Sequence, residues 1–310
     1  MMKTLETIEF KKPPTVLAAW PGMGNVGLIT VDYLRRKLDA RLFAEIDMSP
    51  FFIPDSIVVK NGISQFPEIP TAVFYYTNNP DLIIFESNAQ ISGKEGIMII
   101  KTILDVIMQY PVQHVFTFAA FAQPMSFTDD SQVLVTCNIP EFLIDLQQHG
   151  LTPMPDGYIA GLNGLLLGVA ASRQIESACM LGTIPGYAVN LSYPKASLQL
   201  IQSISKFLDF TVDLAEIKEN INNLSQQLSL IEDRIRDFSS AGAASHEDEQ
   251  VQQELEDIEQ EKVPQYVMEK IERMFNDAKS DKAIAADLKK ELDRWNLFEL
   301  YENRFLDLFK

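Results

Sequence analysis

The chain has little of what most directly announces chemistry. Among 310 residues it holds two cysteines, Cys137 and Cys179, too few for a disulfide framework or a four-ligand zinc site. Both read as small apolar groups in a reducing compartment, so the expected location is the cytoplasm. Its three histidines, His114, His149 and His246, have no Cys, His or carboxylate at metal-ligand spacing. Adjacent Asp129 and Asp130 lack the further oxygen ligands that a divalent ion needs and read as a solvated turn. No metal and no cofactor are therefore expected. There is no run of five basic residues, and 26 Lys+Arg stand against 43 Asp+Glu, a net charge of −17. Such a surface repels phosphate backbones and anionic lipid, which argues against nucleic acid and membrane as partners. Neither a G-x-S-x-G elbow nor a G-x-x-x-x-G-K-[S/T] loop occurs, so a serine hydrolase and the common phosphate-binding loop have no support. The most apolar stretch, Gly161 to Ala171, is too short to span a bilayer and reads as a buried helix. The acidic, weakly apolar start Met1 to Glu6 does not read as a signal peptide.

Glycine is missing from the last third. Thirteen of the 14 glycines lie at or before Gly186, and only Gly242 follows. Glycine supplies tight turns between strands and helices, so its loss marks a change from α/β to all-helical structure. Charge shifts at the same place. Residues 211–310 hold 24 acidic and 13 basic side chains, leaving 19 and 13 for residues 1–210. The expected division is an α/β core domain over 1–211 and a helical domain over 212–310.

The first part alternates. Thr15–Trp20, Leu42–Ile46, Ile57–Val59, Thr71–Tyr76, Asp81–Phe85, Val112–Phe118, Gln132–Cys137 and Ser177–Thr183 read as strands, rich in Val, Ile and aromatics. Asn25–Leu38, Ser92–Tyr110, Pro140–His149, Gly161–Arg173 and Pro194–Phe210 read as helices. The second opens on Ser92 and Glu95, a capping-box pattern, and the last has proline in its first turn. Strands apolar on both faces predict a sheet covered by helices on both sides, a three-layer α/β/α sandwich. In the second part Leu214, Ile217, Ile221, Leu224, Leu228, Ile231, Ile235 and Phe238 follow a 3, 4 spacing, a heptad seam. Small residues 239–246 interrupt it, and Val251, Leu255 and Ile258 resume it. This predicts an antiparallel hairpin over 213–262, pairing 213–238 with 247–262, which either packs on its neighbours and the core domain or serves as an arm that binds another protein. Further helices over 264–310 follow, the last of them aromatic-rich.

Two features could bind a ligand. Gly22-Met-Gly24-Asn25-Val-Gly27 is a G-x-G-x-x-G turn between a strand and a helix, with Asp47 twenty residues on. Glycines there would admit a pyrophosphate to the backbone, and the acid would hold a ribose. The alternative is a tight turn that packs the helix on the sheet. Glu86, Asn88 and Gln90 follow another strand end, and Asn163 opens a buried helix. They could line a pocket with Asn25, or cap helices and satisfy buried backbone.

Four stretches together resemble the proteasome assembly chaperone family, in its chaperone-two-like branch of archaea and bacteria. They are Trp20 to Gly27 leading to Asp32-Tyr33-Leu34, Glu86 to Gln90, Gly161 to Leu167 with Leu181 to Tyr187, and Pro194 to Ser197 through Phe207 to Glu216. The resemblance implies a phosphorylase/hydrolase-like three-layer domain, self-association into a homo-oligomer and no established reaction. It implies proteasome α-subunits as one possible partner, since some family members dock on them through a C-terminal hydrophobic–tyrosine–any tripeptide. Leu308-Phe309-Lys310 is similar, with Phe in place of Tyr. Relatives labelled ATP-grasp or carboxylate–amine ligase raise the alternative of a nucleotide- or small-ligand-binding protein using the Gly22–Gly27 turn. The resemblance, the heptad seam and the lack of a catalytic constellation together favour the expectation of a non-catalytic self-associating scaffold.

Overall fold

The computed structural model describes residues 2–225, except 53, 55, 56, 61 and 223, together with 271, 274, 275, 278, 284–294 and 305. The chain divides into two compact units, Met1–Arg236 and Asp237–Lys310.

The first unit is built on a nine-stranded mixed sheet. Its strands are β1 (Met2–Thr4), β2 (Thr15–Ala19), β3 (Arg41–Ile46), β6 (Ala72–Asn78), β7 (Asp81–Ser87), β8 (Val115–Gln123), β9 (Val133–Cys137), β10 (Thr152–Pro153) and β11 (Ser177–Pro185). Across the sheet they run β1-β3-β6-β7-β2-β8-β11-β9-β10. β7, β2, β8 and β11 form a parallel centre. Antiparallel pairs flank it, β6 on one side and β9 on the other. A separate two-stranded sheet, β4 (Val58–Lys60) with β5 (Ile63–Gln65), lies between β3 and β6 in sequence.

Alternation along the central strands sorts side chains to two helical layers. On β2, Leu17 and Ala19 face α1 (Val26–Lys37), α3 (Pro140–Gln148) and α5 (Pro194–Phe207). Val16, Ala18 and Trp20 face α2 (Gly93–Ile107) and α4 (Leu162–Ala171). The expected three-layer α/β/α sandwich is therefore the observed one. All nine residues of β11 are buried, as a strand covered on both faces requires.

Most differences from the sequence reading are shifts of element ends. β8 starts at Val115, because 110–114 form a turn and connector. Ser92 stands at the N-cap of α2, but its side chain makes no capping hydrogen bond. β1, β5 and β10 have only two or three residues each, too short for an alternating pattern to emerge.

Residues 215–222, 224 and 225 are helical and pack on the sandwich. Ile217 is buried there, with Leu214 and Ile221 against the same core. Arg36 and Lys37 each reach Glu216 at 2.7 Å, and the Tyr33 hydroxyl donates to Asp213 O at 2.9 Å. Burial alone would raise the Glu216 pKa, but the hydrogen bonds from Lys37 and Arg36 outweigh it and hold the carboxyl below the ordinary value. The remainder of the expected hairpin, 226–262, lies outside the described residues. In the second unit α6 (Ile284–Arg294) contributes Ala285, Leu288 and Leu292 to a core with Ile271, Phe275, Ala278 and Phe305. Their 3, 4 spacing puts each set on one helical face.

Candidate functional site

The glycine turn joins β2 to α1 through a single 3-10 turn, Met23–Asn25. Gly24 has φ +62° and Asn25 φ +48°, left-handed conformations that glycine and asparagine tolerate best. Gly22 is extended, with φ −168°, so any residue could adopt its backbone. Gly27 serves close packing. A Cβ there would overlap Phe118 O and lie 3.0 Å from Phe118 C on β8.

Three amides of this turn are committed to protein carbonyls. Gly24 N donates to Val189 O at 2.8 Å and Asn25 N to Gly22 O at 2.9 Å. Val26 N donates to Met23 O. In return Gly24 O accepts from Tyr193 N at 2.9 Å. The turn is thus clasped by the segment that leads into α5. A phosphate approaching it would compete with these carbonyls. Strand order also corrects the expected role of Asp47. β3 is separated from β2 by β6 and β7, so about 14 Å of sheet lies between them. Asp47 instead accepts from Ser49 N at 3.0 Å and Ser49 Oγ at 2.7 Å.

The other polar candidates converge on the same strand ends and bond to the chain itself. Asn163, buried in the first turn of α4, accepts from Trp20 N at 3.3 Å and donates to Trp20 O at 3.5 Å. Gln90 donates to Pro21 O at 2.6 Å and accepts from Leu162 N at 3.1 Å, tying the glycine turn to the N-terminus of α4. Asn88 accepts from Thr71 N at 2.8 Å. Glu86, on β7, pairs with Arg35 Nε at 2.9 Å. Arg35 also contacts Asp32 and lies over the Tyr75 ring. Burial disfavours the Arg35 cation, yet Glu86 and Asp32 raise its pKa above the ordinary value. The structure therefore brings Gly22, Gln90 and Asn163 together, with Glu86 near the end of β7 and Asn88 just past it.

A lysine that the sequence reading passed over organises the nearby loop. Lys195 Nζ donates to the carbonyls of Phe127, Thr128 and Asp129 at 2.9, 3.2 and 2.5 Å. Asp130 Oδ1 is 4.0 Å away. Its signal was only the Pro194-Lys195 pair at the start of a helix. Among the described residues no group of three or more His, Cys, Asp and Glu could hold a metal ion. Among the same residues no helix is long and apolar enough to cross a membrane. Leu308, Phe309 and Lys310 lie outside the described residues.

The largest feature that sequence reading missed is an apolar arm. In β4, β5 and their flanks, Phe66 is 82% exposed, Ile63 64% and Val59 62%, with Ile57, Val58 and Ile69 also exposed. Val59 pairs with Ser64 and Val58 with Gln65. Ile57, Val59 and Phe66 therefore fall on one face, and Val58 and Ile63 on the other.

A family model, described as the PAC2 family, matches residues 16–232. The chain belongs to the PAC2 family. An uncharacterized protein of Methanocaldococcus jannaschii is 23% identical over 252 residues, 79% of this chain and 95% of the relative. Among solved structures the chain is similar to PbaB of Pyrococcus furiosus, described as an archaeal proteasome activator. The TM-score is 0.64 and the identity 21%, over 75% of this chain and 98% of that one. PbaA of the same organism, described as an archaeal homolog of proteasome-assembly chaperone, gives a TM-score of 0.60 and 21% identity over 77% and 95%. A Mycobacterium tuberculosis proteasome-assembly chaperone homologue gives 0.57 and 18% over 75% and 97%. At these identities the PAC2 chain shares their fold, and the fold alone does not carry their activities across.

Proposed function

We propose that this PAC2 chain is a self-associating scaffold of the assembly-chaperone type, which works by holding protein surfaces together and not by chemistry on a substrate. One observation carries the reading, the apolar arm at 57–69. Two three-residue strands are too little to be stable alone in water, and here both faces of the pair expose apolar side chains. The six exposed residues present on the order of 600 Å² of apolar surface, divided between the two faces of the pair. A partner that grips the pair from both faces would cover most of it, against the roughly 800 Å² per partner buried in a standard interface. Glu86, Asn88, Gln90 and Asn163 support the same reading, since their polar groups hold the framework together.

The names of the similar structures, a proteasome activator and a homolog of proteasome-assembly chaperone, support proteasome subunits as a second partner class. In this reading Leu308, Phe309 and Lys310 dock on a proteasome α-subunit, Phe309 entering an apolar site. Sedimentation velocity on the full chain tests the scaffold reading. The wild type should sediment as a homo-oligomer, and replacing residues 57–66 by a short Gly/Ser link should give a folded, smaller species. A wild type that stays monomeric across the accessible concentration range overturns it. For the docking tail, Phe309→Ala should abolish capture of isolated proteasome α-subunits, and unchanged capture overturns that part.

A further inference from the structure

Helix α4 carries a second apolar surface. Its sequence, Leu162-Asn-Gly-Leu-Leu-Leu-Gly-Val-Ala-Ala171, is apolar all round, and no charged residue occurs from Gly157 to Ser172. A helix on the outside of a sandwich should be polar on its outer side, and one that is apolar all round is normally buried. α4 buries Leu162, Leu166 and Ala170 on the sheet. Its outer side is nevertheless open. Leu165 is 46% exposed, and a Cβ at Gly168 would meet nothing within 4 Å. Tyr158, in the loop just before the helix, is fully exposed.

We infer that the outer face of α4 is the seat for the β4–β5 arm of a second copy of the chain. This rests on the self-association proposed for the PAC2 chain. Three observations select that occupant. Within one chain the arm and the α4 face are both exposed, so neither covers the other. Between Asp55 and Glu68 the only charged residue is Lys60, and the α4 stretch has none, in a chain of net charge −17. Two such acidic chains repel wherever their charged surfaces meet. These two stretches can touch without bringing carboxylates together. Size also fits, since strands of three residues extend about 10 Å and a ten-residue helix about 15 Å. Gly168 leaves the outer side of the helix shallow enough for a strand to approach, since a Cβ there would meet nothing within 4 Å. Each copy carries one arm and one seat, so two reciprocal contacts close a dimer and one-way contacts close a larger ring.

The test uses the full chain and three variants. Phe66→Glu damages the arm, and Leu165→Glu damages the seat. Gly168→Arg damages the seat through open space, so the core is untouched should Leu165→Glu disturb folding. Circular dichroism and melting temperature confirm the fold, and sedimentation velocity gives the assembly. Each variant alone should raise the dissociation constant at least about tenfold. Mixing Phe66→Glu with Gly168→Arg should give a one-to-one dimer, since one intact seat then meets one intact arm. If the variants assemble like the wild type, self-association stands and this pairing is overturned. If they fall apart but the mixture stays monomeric, arm and seat do not meet and the pairing is again overturned. A monomeric wild type overturns the self-association reading itself.

Discussion

Packing and ligand binding make opposite demands on the three glycines of the Gly22–Gly27 turn. Suppose each is replaced by alanine. At Gly27 the added Cβ lies 3.0 Å from Phe118 C and closer still to Phe118 O, in a central strand. Relief to an ordinary carbon–oxygen separation of about 3.3 Å moves α1 from β8 by about 1 Å. Overpacking of this kind costs about 1–3 kcal/mol. It exceeds the gain of up to about 1 kcal/mol that alanine gives over glycine inside a helix. In a unit of this size each kcal/mol moves the melting temperature by about 2–4 °C, so a net cost of about 1–2 kcal/mol should lower the melting temperature of Gly27→Ala by roughly 2–8 °C. Gly22 is already extended, and its Cβ would meet only Asn163 Nδ2 at 3.9 Å. Gly22→Ala should therefore melt within about 1–2 °C of the wild type. Gly24→Ala should fall between, because its φ is +62° and Tyr193 Cβ would be 3.2 Å away. The assay is thermal denaturation of the full chain with and without nucleotides. Gly22→Ala melting as low as Gly27→Ala would refute the packing argument, as would a wild-type stabilisation by nucleotide that Gly22→Ala removes.

Further outcomes follow from the same geometry. Asn163→Leu leaves the N–H and C=O of Trp20 without their buried partner and should cost about 1–3 kcal/mol, read as a lower melting temperature with unchanged oligomer size. His114 stacks on Phe142 at 4.6 Å and 7°. Burial lowers its pKa from the ordinary 6.5 despite the opposing pull of Glu176 and Asp145. The neutral ring is the favoured form, so its contribution is present above the ordinary value and is lost as pH falls through the depressed one. The wild type should lose more melting temperature on acidification from about pH 7 to pH 5 than His114→Phe does, and equal losses would sink the assignment. Burial pushes the Cys179 thiol up to about 12 and raises that of the part-buried Cys137 less far. A thiol reagent should therefore modify Cys137 slowly in the native chain and reach Cys179 only on unfolding. Simultaneous labelling of both would contradict the burial.

Local pattern settled the central sandwich. Runs such as Thr15–Ala19 and Ser177–Pro185, and the apolar faces of α2 and α5, carry their period in the order of residues, so no distant partner is needed to read them. The change of composition near 211 is not where the compact units divide, since the first runs to Arg236 and Ile217 lies in its core. What the glycine turn does was not legible in local pattern either. The amides of Gly24 and Asn25 find their acceptors at Val189 and Gly22, and the first lies far along the chain. Asp47 has the spacing of a ribose ligand, yet strand order moves it away from β2. Sequence separation does not encode which strands become neighbours. The arm at 57–69 was hidden for a related reason. Val58, Val59 and Ile63 resemble core-strand residues, and only folding shows that they stay exposed among the described residues. Composition and periodicity thus determined a layered α/β unit with a glycine hinge, because both depend on near neighbours. Tertiary structure alone decided that amides of the turn bond to backbone carbonyls, Val189 among them, and that, among the described residues, the arm and Leu165 of α4 stay exposed, because both depend on which distant segments meet.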